Sequence, residues 1–272
     1  MEKKKITISD ITELKKKFLS QNLNTVCQSA KCPNISECFK KHTATFLILG
    51  KNCTRGCAFC GIEKHIPEPL DADEPARAAQ AVKELGLSYA VITSVTRDDL
   101  HDGGAAHFAK TVLEIRRLNP GIKIEILVPD FKGMQSPLDI VLEAKPDVFS
   151  HNLETIPELY AKARRGADFE RSCKVLKYAK SKGFKTKTGI MLGLGESESK
   201  LSKALARIAE EASPDILTIG QYLAPTKSHH PVMKEYSPEE FQNIENLALS
   251  LGFPKVVCGR YVRSSYLAEE QL

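Results

Sequence analysis

The chain has 272 residues, of which 42% are hydrophobic and 27% are charged, and its formal net charge is +5 at pH 7. That length suffices for one large α/β domain or two small ones. No apolar run is long enough to span a bilayer, and the opening MEKKKITISD lacks the apolar stretch of a signal peptide. We therefore expect no membrane association. Eight cysteines indicate a reducing compartment, the cytoplasm or an organelle matrix, of which we expect the cytoplasm.

The basic residues gather at Lys3–Lys5, Lys15–Lys17 and Arg164–Arg165. Such clusters form a solvated surface or steer an acidic partner toward the protein. The chain has no tryptophan, and its basic residues are not interleaved with aromatic ones. We therefore expect no nucleic-acid partner.

Six of the eight cysteines form two triplets near the start of the chain. The first triplet has C-x4-C-x5-C spacing and consists of Cys27, Cys32 and Cys38. The second has C-x3-C-x2-C spacing and consists of Cys53, Cys57 and Cys60. Three thiolates on a short loop can hold three corners of a [4Fe–4S] cluster and leave the fourth iron for another ligand. The two triplets therefore predict two clusters.

Zinc is the alternative occupant of these cysteines. Structural zinc usually takes four ligands, often as two C-x2-C pairs. Only Cys57 and Cys60 have that spacing, although spacing leaves a mixed Cys/His site open. A disulfide framework is not expected in a chain of this length without a signal peptide.

Beyond the second triplet, short β-branched apolar runs alternate with helical patterns. The predicted strands are Thr45–Leu49, Tyr89–Thr93, Ile122–Val128, Asp147–Ser150, Lys187–Leu192 and Ile216–Tyr222. The predicted helices are Glu74–Leu85, Ala105–Leu118, Pro137–Ala144, Phe169–Lys182, Ser199–Glu211 and one that begins at Ser237. This order predicts an α/β fold, a partial (β/α)6 open parallel barrel. The flat doubly wound alternative lacks its usual glycine fingerprint.

The segments outside this repeat are expected to wrap the barrel mouth as parts of one compact unit. Residues 1–43 carry the first triplet and are predicted to contain no strand, residues 44–250 form the barrel, and residues 251–272 form an irregular tail. Active sites of parallel barrels lie at the carboxyl ends of the strands. Because the second triplet directly follows the first predicted strand, we expect it at the mouth.

At this point the residues resemble a known family. The loop CTRGCAFC, with an aromatic residue before its last cysteine, is similar to the cluster motif of radical S-adenosylmethionine enzymes. The upstream C-x4-C-x5-C triplet and the late segment RSSY (263–266) narrow the resemblance to the lipoyl synthase family. Further segments agree: SVTRDDLHDGGA (94–105), FSHNLET (149–155), RRGADF (164–169), KTGIMLGLGE (187–196) and QYLAPTKSHHPV (221–232).

The resemblance implies a sulfurtransferase that inserts two sulfur atoms, at C6 and C8, into an octanoyl group bound to a lysine of a carrier protein. It implies two [4Fe–4S] clusters and S-adenosylmethionine, two molecules of which yield methionine and 5′-deoxyadenosine. Implied partners are octanoylated lipoyl domains of 2-oxoacid dehydrogenase complexes, the glycine cleavage H protein, a low-potential electron donor and an iron–sulfur carrier for cluster repair.

The resemblance also assigns site residues. The Cys53/Cys57/Cys60 cluster would bind S-adenosylmethionine, and the Cys27/Cys32/Cys38 cluster would donate sulfur. By the family motif, Ser265 is the fourth, oxygen ligand of the sulfur-donating cluster, and a hard oxygen donor is a labile partner for iron in sulfide surroundings.

Polar residues after the predicted strands are further candidates for the mouth. Asn152 and Glu154 could contact S-adenosylmethionine or merely structure their loop. Arg164 and Arg165 could meet a carboxylate or could be exposed helix-end charges without a function. Thr96, Arg97 and Asp98 follow the second strand and face the same mouth.

Other readings of the same motifs remain. A biotin synthase-like enzyme would hold its second cluster by cysteines within the barrel strands, and a methylthiotransferase usually has extra domains. An electron carrier or cluster scaffold would have four cysteines per cluster and no large barrel. His229-His230 receives no metal, and Cys173 and Cys258 are expected to be small apolar residues in the core rather than ligands.

Overall fold

Eight strands form one open sheet in the described part of the chain, and neighbouring strands follow chain order. The structure is a computed structural model that describes residues 18, 21–29, 32–40 and 43–271. The strands are β1 (Asn24–Thr25), β2 (Thr43–Ile48), β3 (Tyr89–Ser94), β4 (Lys123–Leu127), β5 (Val148–Ser150), β6 (Thr186–Leu192), β7 (Ile216–Gln221) and β8 (Lys255–Gly259). β1 pairs antiparallel with β2, and β2 to β8 are parallel.

Each strand from β2 to β7 is followed by a helix that covers the outside of the barrel. In order these helices are Glu74–Glu84, Ala105–Leu118, Gln135–Glu143, Phe169–Ser181, Glu198–Glu211 and Pro238–Ser250. Shorter helices are Val26–Ser29, Ile35–Lys40 and Tyr160–Ala163, and single 3₁₀ turns are Phe131–Gly133, Pro157–Leu159 and Ala268–Gln271. No helix within the described residues is both long and apolar enough to cross a membrane.

Side-chain caps fix the amino-terminal ends of two of these helices. The Ser237 hydroxyl accepts a hydrogen bond from the Glu240 N–H, and the Glu240 carboxylate accepts one from the Ser237 N–H, which is a complete capping box. The carboxylate of Asp168 caps the helix Phe169–Ser181 by accepting from the Arg171 N–H at 2.7 Å. Such caps satisfy N–H groups that have no partner within the helix.

The predicted open parallel barrel is confirmed, and all six predicted strands have ends within two residues of the observed ones. Two details of the prediction were wrong. Residues 1–43 do contain a strand, β1, and β2 already begins at Thr43. The tail is not wholly irregular, because β8 adds a seventh parallel strand beside β7. The lysine clusters 3–5 and 15–17 lie outside the described residues.

A polar network lies inside the barrel, on the strand faces opposite those that pack against the helices. The Glu125 carboxylate accepts hydrogen bonds from the Tyr89 hydroxyl at 2.8 Å, the Ser150 hydroxyl at 2.7 Å and the Lys187 ammonium at 3.0 Å. Both charged side chains are only 1% exposed. A buried ion pair needs such additional bonds, so the network fixes the relative positions of four strands.

After β8 the chain turns back and runs along the open side of the barrel. Its backbone passes so close to β7 that a Cβ at Gly220 would overlap the carbonyl oxygen of Val262. Further on, Ala268 packs against the inward-facing side chains of Tyr89 and Val91. This tail, residues 260–271, therefore joins β8 to the opposite part of the sheet.

Candidate functional site

The loop after β2 carries the second cysteine triplet. The Cys53 N–H donates to the carbonyl of Glu63 at 3.0 Å, which folds the loop back on itself. Thr54 donates from its N–H and from its hydroxyl to the carbonyl of Thr96, at 3.0 and 2.9 Å. Because Thr96 follows β3, the loop is fixed at the carboxyl ends of two strands, at the barrel mouth.

Backbone N–H groups point at the sulfur atoms of this loop. The N–H groups of Thr96 and Arg55 lie 3.3 and 3.4 Å from Cys53 Sγ, and the N–H of Ile62 lies 3.5 Å from Cys60 Sγ. Burial raises the pKa of Cys57 to about 11 and that of Cys60 to about 12. The thiols of Cys57 and Cys60 are therefore protonated until a metal replaces the protons, and the N–H of Ile62 favours the thiolate form of Cys60.

Two histidines contact the backbone of the same loop. His229 Nε2 donates to the carbonyl of Cys60 at 3.0 Å, and the His230 N–H donates to the carbonyl of Ala58 at 2.8 Å. These contacts hold the half of the loop that contains Cys57 and Cys60. The adjacent histidines thus support the cysteine loop.

The side chain of Arg55, which lies within the cysteine loop, reaches two carboxylates. Its guanidinium donates to both oxygens of Asp98, at 2.6 and 2.9 Å, and to Asp130 Oδ1 at 2.8 Å. Arg171 Nε donates to the other oxygen of Asp130 at 2.8 Å. Sequence reasoning missed Asp130, although it follows β4 closely and so lies at the same end of the barrel as the cysteines.

Asn152 and Glu154 lie beyond β5 with an unusual backbone. Glu154 has φ of 68°, a left-handed conformation that is strained for a residue other than glycine. Its N–H donates to the carbonyl of Gly189, and its carbonyl accepts from the Met191 N–H. These two hydrogen bonds to β6 keep Glu154 in the strained conformation. The Asn152 amide donates to Glu154 Oε1 at 3.1 Å, and burial raises the pKa of that carboxyl.

Arg164 is held in place, whereas Arg165 is exposed. The Arg164 guanidinium donates to the Tyr160 hydroxyl at 3.1 Å and to the Ser172 hydroxyl at 3.0 Å. Burial opposes its charge, but Tyr160, Glu154 and Cys57 outweigh that effect and hold the pKa above its usual value. Arg164 therefore supplies a fixed positive charge between Glu154 and the cysteine loop.

The first cysteine triplet lines a small cavity together with residues of the tail. Its walls are formed by Cys27, Cys32, Asn34, Cys38, Thr43, Thr45, Arg263, Ser265 and Tyr266. Burial, with the neighbouring Cys32 and Cys38, raises the pKa of Cys27 to about 12. Ser265 and the three cysteines thus share one cavity although they are far apart in the sequence.

The tail is fastened to the segment that carries the first triplet. Asn34 Nδ2 donates to the carbonyl of Tyr261 at 2.6 Å, and the Tyr266 hydroxyl donates to Glu37 Oε1 at 2.9 Å. These two bonds lie on either side of Ser265 in the tail. They fix the position of the tail backbone around Ser265, and so the position of the Ser265 side chain in the cavity wall.

The donor sets suit iron–sulfur clusters. Each triplet presents three cysteines that are buried or half-buried and free of disulfides. Within the described ranges, no three Cys, His, Asp or Glu side chains gather around a point where a single metal ion could bind. A [4Fe–4S] cluster does not require the thiolates to converge on one point, because each thiolate binds a separate iron.

Comparison with known proteins places the chain in a family. A sequence model of the radical SAM superfamily matches residues 47–208. Lipoyl synthase of Caldicellulosiruptor saccharolyticus is 50% identical over 262 residues, which cover 96% of this chain and 92% of that protein. Lipoyl synthase of Aquifex aeolicus is 47% identical over 274 residues, with 100% and 99% covered. The chain belongs to the lipoyl synthase family.

Solved structures share the fold of this lipoyl synthase family member. Methylornithine synthase superposes with a TM-score of 0.58 at 21% identity, covering 77% of this chain and 62% of that one. Coproporphyrinogen III oxidase from Escherichia coli also has a TM-score of 0.58, at 19% identity, covering 77% and 53%. At such identities the likeness concerns the fold alone, the open parallel barrel.

Membership of the radical SAM superfamily implies a [4Fe–4S] cluster and S-adenosylmethionine as cofactors of this lipoyl synthase family chain. The superfamily match includes the loop of Cys53, Cys57 and Cys60. The first triplet lies before the matched residues, so its occupant has to be argued from the family and from the cavity.

Proposed function

We propose that the chain is a lipoyl synthase. It converts an octanoyl group, bound by an amide to a lysine of a carrier protein, into a lipoyl group by inserting sulfur at C6 and C8. Two molecules of S-adenosylmethionine are cleaved for each lipoyl group. Lipoyl synthases that match nearly the whole chain at 50% and 47% sequence identity support this proposal.

The strongest support for this proposal is the cavity that Cys27, Cys32, Cys38 and Ser265 line together. An enzyme that only generates a radical needs no second set of thiols. A second cluster with one hydroxyl ligand provides sulfide together with a bond that breaks readily, because oxygen matches iron–sulfide surroundings poorly. This cluster is a substrate of the reaction, since its sulfide ends in the product.

We assign the cluster at the mouth to Cys53, Cys57 and Cys60. When bound there, it supplies the electron that cleaves S-adenosylmethionine to methionine and a 5′-deoxyadenosyl radical, which takes hydrogen from an unactivated C–H bond. The chain positions the reactants and excludes water. Asn152, Glu154 and Arg164 are assigned to S-adenosylmethionine, whose ammonium and carboxylate groups suit a carboxylate and a guanidinium respectively.

The partners follow from the substrate. The enzyme acts on octanoylated carrier proteins, and we propose lipoyl domains of 2-oxoacid dehydrogenase complexes and the glycine cleavage H protein. Cleavage of S-adenosylmethionine requires a low-potential electron donor. Loss of sulfide from the first-triplet cluster requires an iron–sulfur carrier that rebuilds it. We place these reactions in the cytoplasm.

The test is anaerobic turnover of reconstituted, reduced protein with a peptide that contains octanoyl-lysine. We expect mass spectrometry to show two added sulfur atoms and two equivalents of 5′-deoxyadenosine per lipoyl group. Cleavage of S-adenosylmethionine without added sulfur, in protein that contains both clusters, would contradict the proposal. A variant with Ala at Cys27, Cys32 and Cys38 is the control, because it should cleave S-adenosylmethionine but add no sulfur.

A further inference from the structure

Arg55 is the one basic side chain within the second cysteine triplet, between Cys53 and Cys57. Its side chain is only 8% exposed, and its guanidinium makes three charge-assisted hydrogen bonds to Asp98 and Asp130. Its own N–H lies 3.4 Å from Cys53 Sγ. The residue therefore contacts a sulfur atom through its backbone and the neighbouring loops through its side chain.

Arg55 belongs to a group of four side chains whose charges balance. The Asp130 side chain is fully buried and binds both Arg55 and Arg171. Two guanidinium groups thus face two carboxylates, Asp98 and Asp130, with no net charge among the four. The Asp98 N–H also donates to the hydroxyl of Thr54, so this group is joined to the cysteine loop by the backbone as well.

We propose that Arg55 is a positioning residue for the cluster of the second triplet, and that the balance of its charge against Asp98 and Asp130 sets the reduction potential of that cluster. The inference rests on the proposed function, because it requires a cluster on Cys53, Cys57 and Cys60. It adds a role for three residues outside the cysteines.

The physical reason is that reduction adds a negative charge to the cluster. Net charge and hydrogen bonds to the sulfur atoms are among the factors that set iron–sulfur potentials. Removal of the guanidinium leaves an excess of carboxylate and disfavours the added electron. Removal of the Asp98 charge leaves an excess of guanidinium and favours it. A role in loop structure alone would not produce shifts of opposite sign.

The experiment measures the midpoint potential of the reduced-cluster EPR signal that changes when S-adenosylmethionine is added, in anaerobically reconstituted protein. The variants are Arg55→Gln, Arg55→Lys and Asp98→Asn. The matched control is Arg116→Gln, because Arg116 forms a similar bond to Asp147, at 3.0 Å, at the other end of the barrel. Iron content is measured for each variant.

We expect Arg55→Gln to shift the potential to more negative values and Asp98→Asn to shift it to more positive values. Arg55→Lys keeps the charge, so its potential should stay close to the wild-type value. Arg116→Gln should have the wild-type potential. If Arg55→Gln binds no iron, the potential of Asp98→Asn tests the inference. The Asp98 side chain is 27% exposed, against 8% for Arg55, and so tolerates substitution better.

Unchanged potentials in Arg55→Gln and Asp98→Asn with full iron content, or shifts of the same sign in both, would overturn the inference and leave the proposed function standing. An unchanged potential in Asp98→Asn alone would overturn it where Arg55→Gln binds no iron. Wild-type protein without any signal that responds to S-adenosylmethionine would overturn the proposed function as well.

Discussion

The side-chain amide of Asn152 donates a hydrogen bond to the hydroxyl of Ser264 at 3.2 Å, across 112 positions of the chain. The same amide nitrogen donates to Glu154 Oε1, so both of its hydrogens are used. Asn152 Oδ1 is buried and has no hydrogen-bond partner among the residues that the structure describes. The bond connects the loop that we assign to S-adenosylmethionine with the residue before the proposed iron ligand Ser265.

Ser264→Ala should weaken S-adenosylmethionine binding mildly and leave both clusters in place. One hydrogen of the Asn152 amide loses its acceptor, which corresponds to about 1 kcal/mol. The KM for S-adenosylmethionine should therefore rise by less than about tenfold. Steady-state kinetics and iron content check this. Complete loss of lipoyl formation at unchanged KM would indicate that Ser264, not Ser265, is the ligand.

Ser265→Ala and Ser265→Cys should both stop the second sulfur insertion. Alanine removes the oxygen, whereas cysteine supplies a softer thiolate that holds iron more firmly and resists release. We expect both variants to bind two clusters and to retain some cleavage of S-adenosylmethionine. Mass spectrometry of the peptide product measures the sulfur content. Near-normal lipoyl formation by Ser265→Ala with full iron would leave Ser265 with only a role in the tail turn.

The two triplets should bind iron independently. Reconstituted protein should contain about eight irons and eight sulfides per chain. Replacement of Cys53, Cys57 and Cys60 by Ala should halve the iron and abolish cleavage of S-adenosylmethionine. Replacement of the first triplet should halve the iron and leave part of the cleavage. Iron and sulfide analysis measures both results, and loss of all iron in either variant would contradict two independent sites.

Gly220→Ala should disturb the first-triplet site from a distance. The added Cβ would overlap the Val262 carbonyl, so the tail that carries Ser265 must shift. We expect loss of up to half of the iron while cleavage of S-adenosylmethionine persists. Gly183→Ala is the control, because Gly183 has φ of +85° but open space around it. That change should cost about 1–2 kcal/mol of stability and leave iron content unchanged.

His151 should make stability depend on pH. Burial lowers the pKa of His151 from 6.5 to about 4, so the native state keeps it neutral while the unfolded chain takes up a proton. The contribution of His151 to the free energy of unfolding should therefore fall by about 3 kcal/mol as pH drops from 6.5 to 4.

Denaturant unfolding at a series of pH values measures this dependence. His151→Asn is the matched variant, because its amide can replace the Nδ1 bond to the Val128 carbonyl, at 2.8 Å, without titrating. A variant with the same pH dependence as the wild type would rule out His151 as its source. Comparison with the variant removes the contributions of carboxyl groups that both proteins share, such as Glu154, whose raised pKa acts in the opposite sense, and Asp130, whose lowered pKa acts mainly below about pH 4.

Local patterns sufficed to predict the six strands from β2 to β7, because each is a buried β-branched run bounded by turn residues. β1 has only two residues, which is too short for any periodicity. β8 directly follows Pro254, and its apolar run has only three residues, Val256, Val257 and Cys258, so its place depends on pairing with β7. The domain boundaries at residues 43 and 250 stay a prediction.

The cysteines and Ser265 could be proposed from motifs, since ligand spacing is local. Contacts such as Asn152 with Ser264 or Arg55 with Asp130 could not, because no local pattern encodes which side chains meet across the barrel. Topology narrows the choice: Thr96, Asp130 and Asn152 all follow parallel strands, whose carboxyl ends share one edge of the barrel.

The bond between Asn34 and Tyr261 joins residues that are 227 positions apart. During synthesis, Cys27, Cys32 and Cys38 therefore leave the ribosome long before the tail that completes their cavity. Any iron or sulfide that arrives in the interval meets an open, unshielded set of thiols. We expect productive assembly at this triplet to follow release of the finished chain, so that initial loading and later repair use the same folded acceptor.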